Sequence, residues 1–184
     1  MTETSKKAVK SEPILLIIDV QTAFAKAIED FKKLVGRISL AAKAFGELGI
    51  QAIVTEQYPK GLGHTAEEIL ATLPLNTPII EKTEFSAFEK IKKILNERKT
   101  AEVIICGIEA HICVYQTASS LFNDGKKITI LADCVSSRSD VDKSIALERM
   151  RSSGIVISTL EMSLFEKMGD CLHPKFREIQ KLIK

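Results

Sequence analysis

Six short apolar runs, each followed by a longer stretch of different rhythm, constrain this chain more than any other feature. "ILLIID" (14–19), "AIVTE" (52–56), "PIIEK" (78–82), "VIICG" (103–107), "ITILA" (128–132) and "GIVIS" (154–158) are β-branched and almost uninterrupted. Runs of this kind suit strands buried on both faces, as in a parallel sheet. The stretches between them carry helical spacing. In 31–49, Leu34, Val35, Ile38, Ala41, Ala42 and Phe45 recur at i, i+3, i+4 and i+7, and Gly49 is the stop. Residues 87–99 repeat the pattern through Phe88, Ile91, Ile94 and Leu95. Residues 139–154 open on a cap at Ser139 or Asp140 and close at Gly154. The tail 173–183 reads as a last surface helix with Pro174 near its first turn. This alternation predicts an α/β chain: a Rossmann-like three-layer α/β/α sandwich around a six-stranded parallel sheet, with right-handed crossovers. Reactive groups then belong at the C-terminal ends of the strands.

A length of 184 residues suits one domain, expected over 13–184 behind a flexible segment at 1–12. With 45% hydrophobic and 27% charged residues, the chain has the balance of a globular protein. A net charge of +2 is too mild to argue for nucleic acid, and basic pairs such as Lys32-Lys33 and Lys92-Lys93 read as solvated helix faces. No apolar run approaches the roughly 18–20 residues of a membrane span, so no membrane partner is expected. "MTETSKKAVKSEP" lacks the apolar core of a secretory signal, which predicts a cytoplasmic protein. Its basic, Ser- and Thr-containing character leaves a mitochondrial address as the alternative. The cysteines at 106, 113, 134 and 171 form no CxxC pair and read as reduced thiols.

Three residues stand where the fold puts chemistry. Asp19 closes the first strand, Lys82 closes the third, and Cys113 follows the fourth by a six-residue turn. A thiolate is the nucleophilic form of cysteine, and a helix start or a lysine beside it favours that form. Asp19 is placed to take the thiol proton and return it to a leaving amine. Backbone N–H groups of the 107–113 turn can hold an oxyanion. The plain alternative is a core thiol, a turn-capping aspartate and a solvated lysine. Cys106, Cys134 and Cys171 are assigned to that plainer class.

"LLIIDVQTAF", "EKTEFSAF" and "GIEAHICVYQTASSLFNDG" together resemble the isochorismatase-like cysteine hydrolases, which include nicotinamidases and N-carbamoylsarcosine amidohydrolases. More narrowly, "VTEQYPKGLGHT", "GIEAHIC", "SSRSDVDKSIALERMRSSG" and "HPKFREIQKLI" resemble the isochorismatase domain-containing protein 2 branch. The resemblance covers the chain from Ile14 to the tail. It implies a catalytic triad of Asp19, Lys82 and Cys113. It also implies a cis peptide between Ile108 and Glu109 and an oxyanion hole made by the backbone N–H groups of Glu109 and Cys113. Phe24, at the family's spacing from the aspartate, is a candidate substrate-pocket wall. Gln57 and Tyr58 join it on loop position alone.

The chain departs from the nicotinamidases where those carry a metal-binding Asp and two His. Here that region holds Glu56, Gln57, Tyr58 and one His64, so no metal and no other cofactor is expected. His111 is a candidate pocket residue or a solvent-facing one, and His173 a turn residue. The presence of Cys113 favours acyl chemistry over the vinyl-ether cleavage of true isochorismatases. The expected activity is hydrolysis of a C–N bond in a small amide-like substrate. The rival expectation is a catalytically weak member acting as a binding or scaffold protein, with a thiol redox sensor as a third. A homo-oligomer is expected, with 157–170 and the tail as candidate contact segments.

Overall fold

The protein is described by a computed structural model covering residues 12–184. The expected flexible segment at 1–12 lies, Glu12 apart, outside the described residues.

Strand β1 (Ile14–Ile18) is buried at all five positions because it has a strand on each side and helices on both faces. Helix α1 (Phe31–Glu47) follows, then β2 (Gln51–Gln57) and two one-turn helices, α2 (Pro59–Leu62) and α3 (Glu67–Leu70). The chain continues through β3 (Ile79–Lys82), α4 (Phe88–Glu97), β4 (Glu102–Ile108), α5 (Tyr115–Asn123) and β5 (Lys127–Ser136). It ends with α6 (Asp140–Ser152), β6 (Val156–Ser158), α7 (Leu160–Met168) and α8 (Phe176–Ile183). The six strands form one sheet in the order β3-β2-β1-β4-β5-β6, parallel throughout. The order reverses between β1 and β4, so the crevice at their C-terminal ends is the natural place for a site.

Period-two alternation sorts the β1 side chains into two cores. Leu15 and Ile17 join Ile38 and Phe45 of α1, Leu160 and Leu164 of α7, and Ile179 of α8. Ile14, Leu16 and Ile18 face the other way, onto Ile91 and Leu95 of α4, Ala118 and Leu121 of α5, and Met150 of α6. The helix carried by 157–170 divides its residues as its spacing implies: Leu160 and Leu164 are buried, while Met162 and Phe165 are exposed. The tail behaves differently from a free contact segment. Ile179 is fully buried, and Phe176, Leu182 and Ile183 pack against the first core.

Two boundaries move for physical reasons. β5 extends to Ser136, beyond the expected 132, because its pairing with β4 slips from Ile105↔Ile130 to Gly107↔Val135, looping extra residues out of the ladder. α8 begins at Phe176 rather than at Pro174. The Phe176 N–H donates to the His173 carbonyl (2.9 Å), which closes a turn over His173 and Pro174 before the helix starts. α6 is capped as expected, by the Ser139 hydroxyl accepting from the Asp142 N–H.

One glycine sets the geometry of the crevice. Gly107 has φ 133°, and a Cβ there would lie 2.2 Å from the carbonyl oxygen of Ile18. No L side chain fits. The close approach brings the end of β4 against the end of β1, one residue before Asp19.

Candidate active site

Asp19 leaves β1 in the left-handed region (φ 55°), with its N–H donating to the Thr55 carbonyl of β2 at 3.0 Å. Its carboxylate is buried and fully engaged. Thr55 Oγ1 donates to Oδ1 at 2.7 Å, and Lys82 Nζ donates to Oδ2 at 2.6 Å. The Lys82 and Asp19 side chains are only 0% and 2% exposed, so this is a buried ion pair and not a solvated lysine at a strand end. Lys82 reaches it because β3 lies two strands away from β1, across β2.

Cys113 completes the group. Its thiol lies close enough to Asp19 and Lys82 for both to act on its ionisation. The residue is buried among the second core and sits in a π turn at 110–114, just ahead of α5, which begins at Tyr115. The three residues brought together by the tertiary fold are thus those expected from the strand ends.

The state of the thiol differs from the expected activated thiolate. Burial pushes the Cys113 pKa up to about 12, the Asp19 carboxylate adds to the rise, and Lys82 opposes it without prevailing. Because Lys82 is already paired with a carboxylate, the thiol faces a nearly neutral pair rather than a free cation. At neutral pH the thiol beside Asp19 is therefore held protonated. Over pH 6–9 the thiolate fraction then rises tenfold per pH unit with no plateau. Iodoacetamide labelling of Cys113 in the free protein, followed by peptide mass spectrometry, should rise log-linearly with pH. It should run about a thousandfold slower at pH 8 than a free cysteine with pKa near 8.5. A plateau below pH 8 would contradict this.

The turn before Cys113 also corrects an expectation. The Ile108–Glu109 peptide is trans, as are all peptides among the described residues. The chain reverses instead through Gly107 and a left-handed Glu109 (φ 42°), which avoids the roughly 3–4 kcal/mol of a non-proline cis bond. The Glu109 carbonyl accepts from the N–H groups of Ile112 (2.9 Å) and Val114 (3.2 Å), fixing the turn. The Glu109 side chain is buried and turned toward the β5–α6 connection, where Arg138 Nε donates to it at 3.1 Å. His111 Nδ1 lies 3.4 Å from the same carboxylate and 3.0 Å from Ser137 Oγ.

The three pocket candidates occupy different settings. Phe24, in a 3-10 turn at Thr22–Lys26, is half-buried against the first core. Tyr58 is 54% exposed, left-handed (φ 39°), and its N–H donates to the Lys82 carbonyl at 2.8 Å. Its ring lies against Gly61, where a Cβ would come within 2.5 Å of it. Gln57 is not an open wall. Its Oε1 accepts from Lys82 Nζ (2.7 Å) and its Nε2 donates to the Thr83 carbonyl (2.7 Å).

Sequence reasoning missed Thr55 and Gln21 as supports. Gln21, fully buried, accepts from the Gln57 N–H and donates to the carbonyls of Gln57 (3.0 Å) and Gly63 (2.6 Å). It ties the end of β1 to that of β2. The pairing Ile18↔Thr55 would have exposed Thr55, but strand register is invisible without the neighbouring strand.

The region after β2 does not suit a metal. Glu56 Oε1 accepts from the Thr65 N–H and hydroxyl, and His64 Nδ1 lies 2.9 Å from Oε2. Burial works against the Glu56 charge, but these bonds outweigh it and hold the carboxyl below its usual range, while the hydrogen bond to Glu56 raises His64. The pair is mutually satisfied. Among the described residues no group of three or more His, Cys, Asp or Glu side chains is placed to hold a metal ion. A cavity of about 690 Å³ opens beyond the end of β5, between α1 and α6, but none of Asp19, Lys82 and Cys113 lines it. No described helix is long and apolar enough to cross a membrane.

Known proteins bear on this geometry. The isochorismatase domain family matches residues 13–162. Isochorismatase domain-containing protein 2 of Homo sapiens is 39% identical over 93% of this chain and 82% of its own length. Isochorismatase family protein 1B of Dictyostelium discoideum is 37% identical over 100% and 92%. Among solved structures, the MAR1 ribonuclease of Caenorhabditis elegans superposes with a TM-score of 0.89 at 40% identity, covering 94% of this chain and 90% of that one. The zinc complex of the pyrazinamidase of Pyrococcus horikoshii gives 0.70 at 25% identity, covering 80% and 99%.

Proposed function

Because this chain belongs to the isochorismatase family, we propose that it hydrolyses a C–N bond in a small amide-like substrate through a thioester on Cys113. The observation that carries this reading is the convergence of a thiol, a carboxylate and an ammonium group, from three separate segments, in one buried cluster. Pyrazinamidase, an amidase by name, shares the fold.

In the proposed cycle the substrate carbonyl carbon approaches Cys113 Sγ. The S–H proton passes to Asp19 as the C–S bond forms, and the carbonyl oxygen becomes an oxyanion facing the N–H groups of Glu109 and Cys113. Collapse breaks the C–N bond, and the leaving amine takes the proton from Asp19. Water then gives a proton to Asp19 and attacks the thioester. The second collapse releases the carboxylic acid, and Asp19 returns the proton to sulfur. A thiol held protonated at rest suits this order, since proton transfer accompanies attack instead of preceding it. Lys82 keeps Asp19 oriented. No metal enters the cycle, because Glu56 and His64 are spent on each other and on Thr65.

The exposed Val141 and Ile145 of α6, with Met162 and Phe165 of α7, offer apolar surface for the homo-oligomer we also propose. The YcaC protein of Escherichia coli, 19% identical and described as an octameric hydrolase, shares the fold.

The test is a panel of primary amides, ureido compounds and N-carbamoyl amino acids, assayed for ammonia release with hydroxylamine present. Ammonia together with a hydroxamate is expected from at least one compound, since hydroxylamine intercepts a thioester. An oligoribonucleotide belongs in the same panel. Cys113-dependent cleavage of it, with every amide inert, would overturn the assignment in favour of the activity named for the C. elegans relative.

A further inference from the structure

We infer that Gln57 is a positioning residue that sets how much of the Lys82 charge reaches the Cys113 thiol. This rests on Cys113 being the nucleophile. Gln57 and Lys82 are direct partners across β2 and β3, so their side chains leave the sheet side by side. An ammonium group has three hydrogens. Lys82 Nζ directs two of them along short bonds, to Asp19 Oδ2 at 2.6 Å and Gln57 Oε1 at 2.7 Å. Two weaker acceptors, the carbonyls of Glu84 and Phe85, both stand at 3.3 Å. The thiol therefore competes for a cation whose strong donors are already taken.

The amide of Gln57 cannot turn over, because its Nε2 is held by the Thr83 carbonyl at 2.7 Å. Its backbone cannot drift either, since the Gln21 amide grips both its N–H (2.7 Å) and its carbonyl (3.0 Å). The result is a fixed, uncharged acceptor. It anchors the ammonium without cancelling its charge, which a carboxylate in the same place would do. Gln57 thereby keeps Lys82 pointed at Asp19 and adds no second negative charge beside the sulfur.

The experiment measures the rate of iodoacetamide alkylation at Cys113 from pH 7 to pH 10, by peptide mass spectrometry, in the full chain and two variants. Gln57→Glu places a second carboxylate on Lys82 and should slow labelling about tenfold at every pH, shifting the profile upward by about one unit. Gln57→Met removes the acceptor but adds no charge, which frees a hydrogen toward sulfur. Labelling should then quicken by about threefold or more. A residue that only fills space would slow or leave unchanged both variants alike, and that result overturns the inference. The methionine variant decides the matter alone if the glutamate variant does not fold. Should wild-type Cys113 label no faster than the core residue Cys106, the nucleophile assignment itself fails, an outcome distinct from failure of the Gln57 role.

Discussion

Cys113→Ala should abolish hydrolysis, lowering kcat by at least about 10³-fold on any substrate the wild type turns over. The size follows from the chemistry. Alanine removes the atom that forms the covalent bond and leaves Asp19 with no proton to move, so only substrate binding and the backbone donors remain. Folding should be nearly unaffected. Cys113 is small and 6% exposed, and its loss leaves neither partner bare, since Asp19 keeps Thr55 and Lys82. The measurement is steady-state turnover together with a urea unfolding curve. Retained turnover in a variant that unfolds like wild type would remove the thioester from the mechanism. Cys113→Ser should be almost as inactive, because a hydroxyl beside this carboxylate is a far weaker nucleophile than the thiol.

Lys82→Met should be the most destabilising change in the cluster, at about 3–5 kcal/mol by urea unfolding. The pair it breaks is buried, and the surviving Asp19 charge keeps one neutral donor, Thr55. Gln57 Oε1 also loses its partner. The double variant Asp19→Asn with Lys82→Met should cost less than the sum of the single changes, since it leaves no uncompensated charge. Strict additivity would mean the two groups do not interact in the folded protein. Alkylation of Cys113 should slow in Lys82→Met, because Lys82 is the group that lowers this thiol's pKa. Its loss takes away the one cation opposing burial and Asp19.

Much of the architecture is legible in the runs themselves. All six apolar segments become strands, because β-branched residues without polar interruption can be buried only inside a layered sheet. The helices of 31–47 and 88–97 match their apolar spacing to the face they bury, while that of 140–152 follows its caps and leaves Val141 and Ile145 exposed. Boundaries fail where tertiary pairing decides them. β5 lengthens through a register slip with β4, and α8 starts late because a turn over Pro174 precedes it. Of the candidate site, Asp19, Lys82 and Cys113 can be picked from strand ends and motif order. Gln57, expected as a pocket wall, also bonds Lys82, a contact invisible in the sequence because it depends on the two lying opposite each other across two strands.

By itself, then, the sequence determined the layered parallel architecture and placed Asp19, Lys82 and Cys113 at the C-terminal edge of its sheet. Both follow from local periodicity and from where each apolar run stops. Only the tertiary structure decided how these side chains are bonded and supported. Whether Lys82 activates a thiol or is consumed by Asp19, whether the turn at Glu109 needs a cis bond, and whether Glu56 and His64 are open or mutually satisfied all depend on groups far apart in the chain. Electrostatic and hydrogen-bond energies act through space, and at separations of a few ångströms in a buried crevice they decide the chemistry.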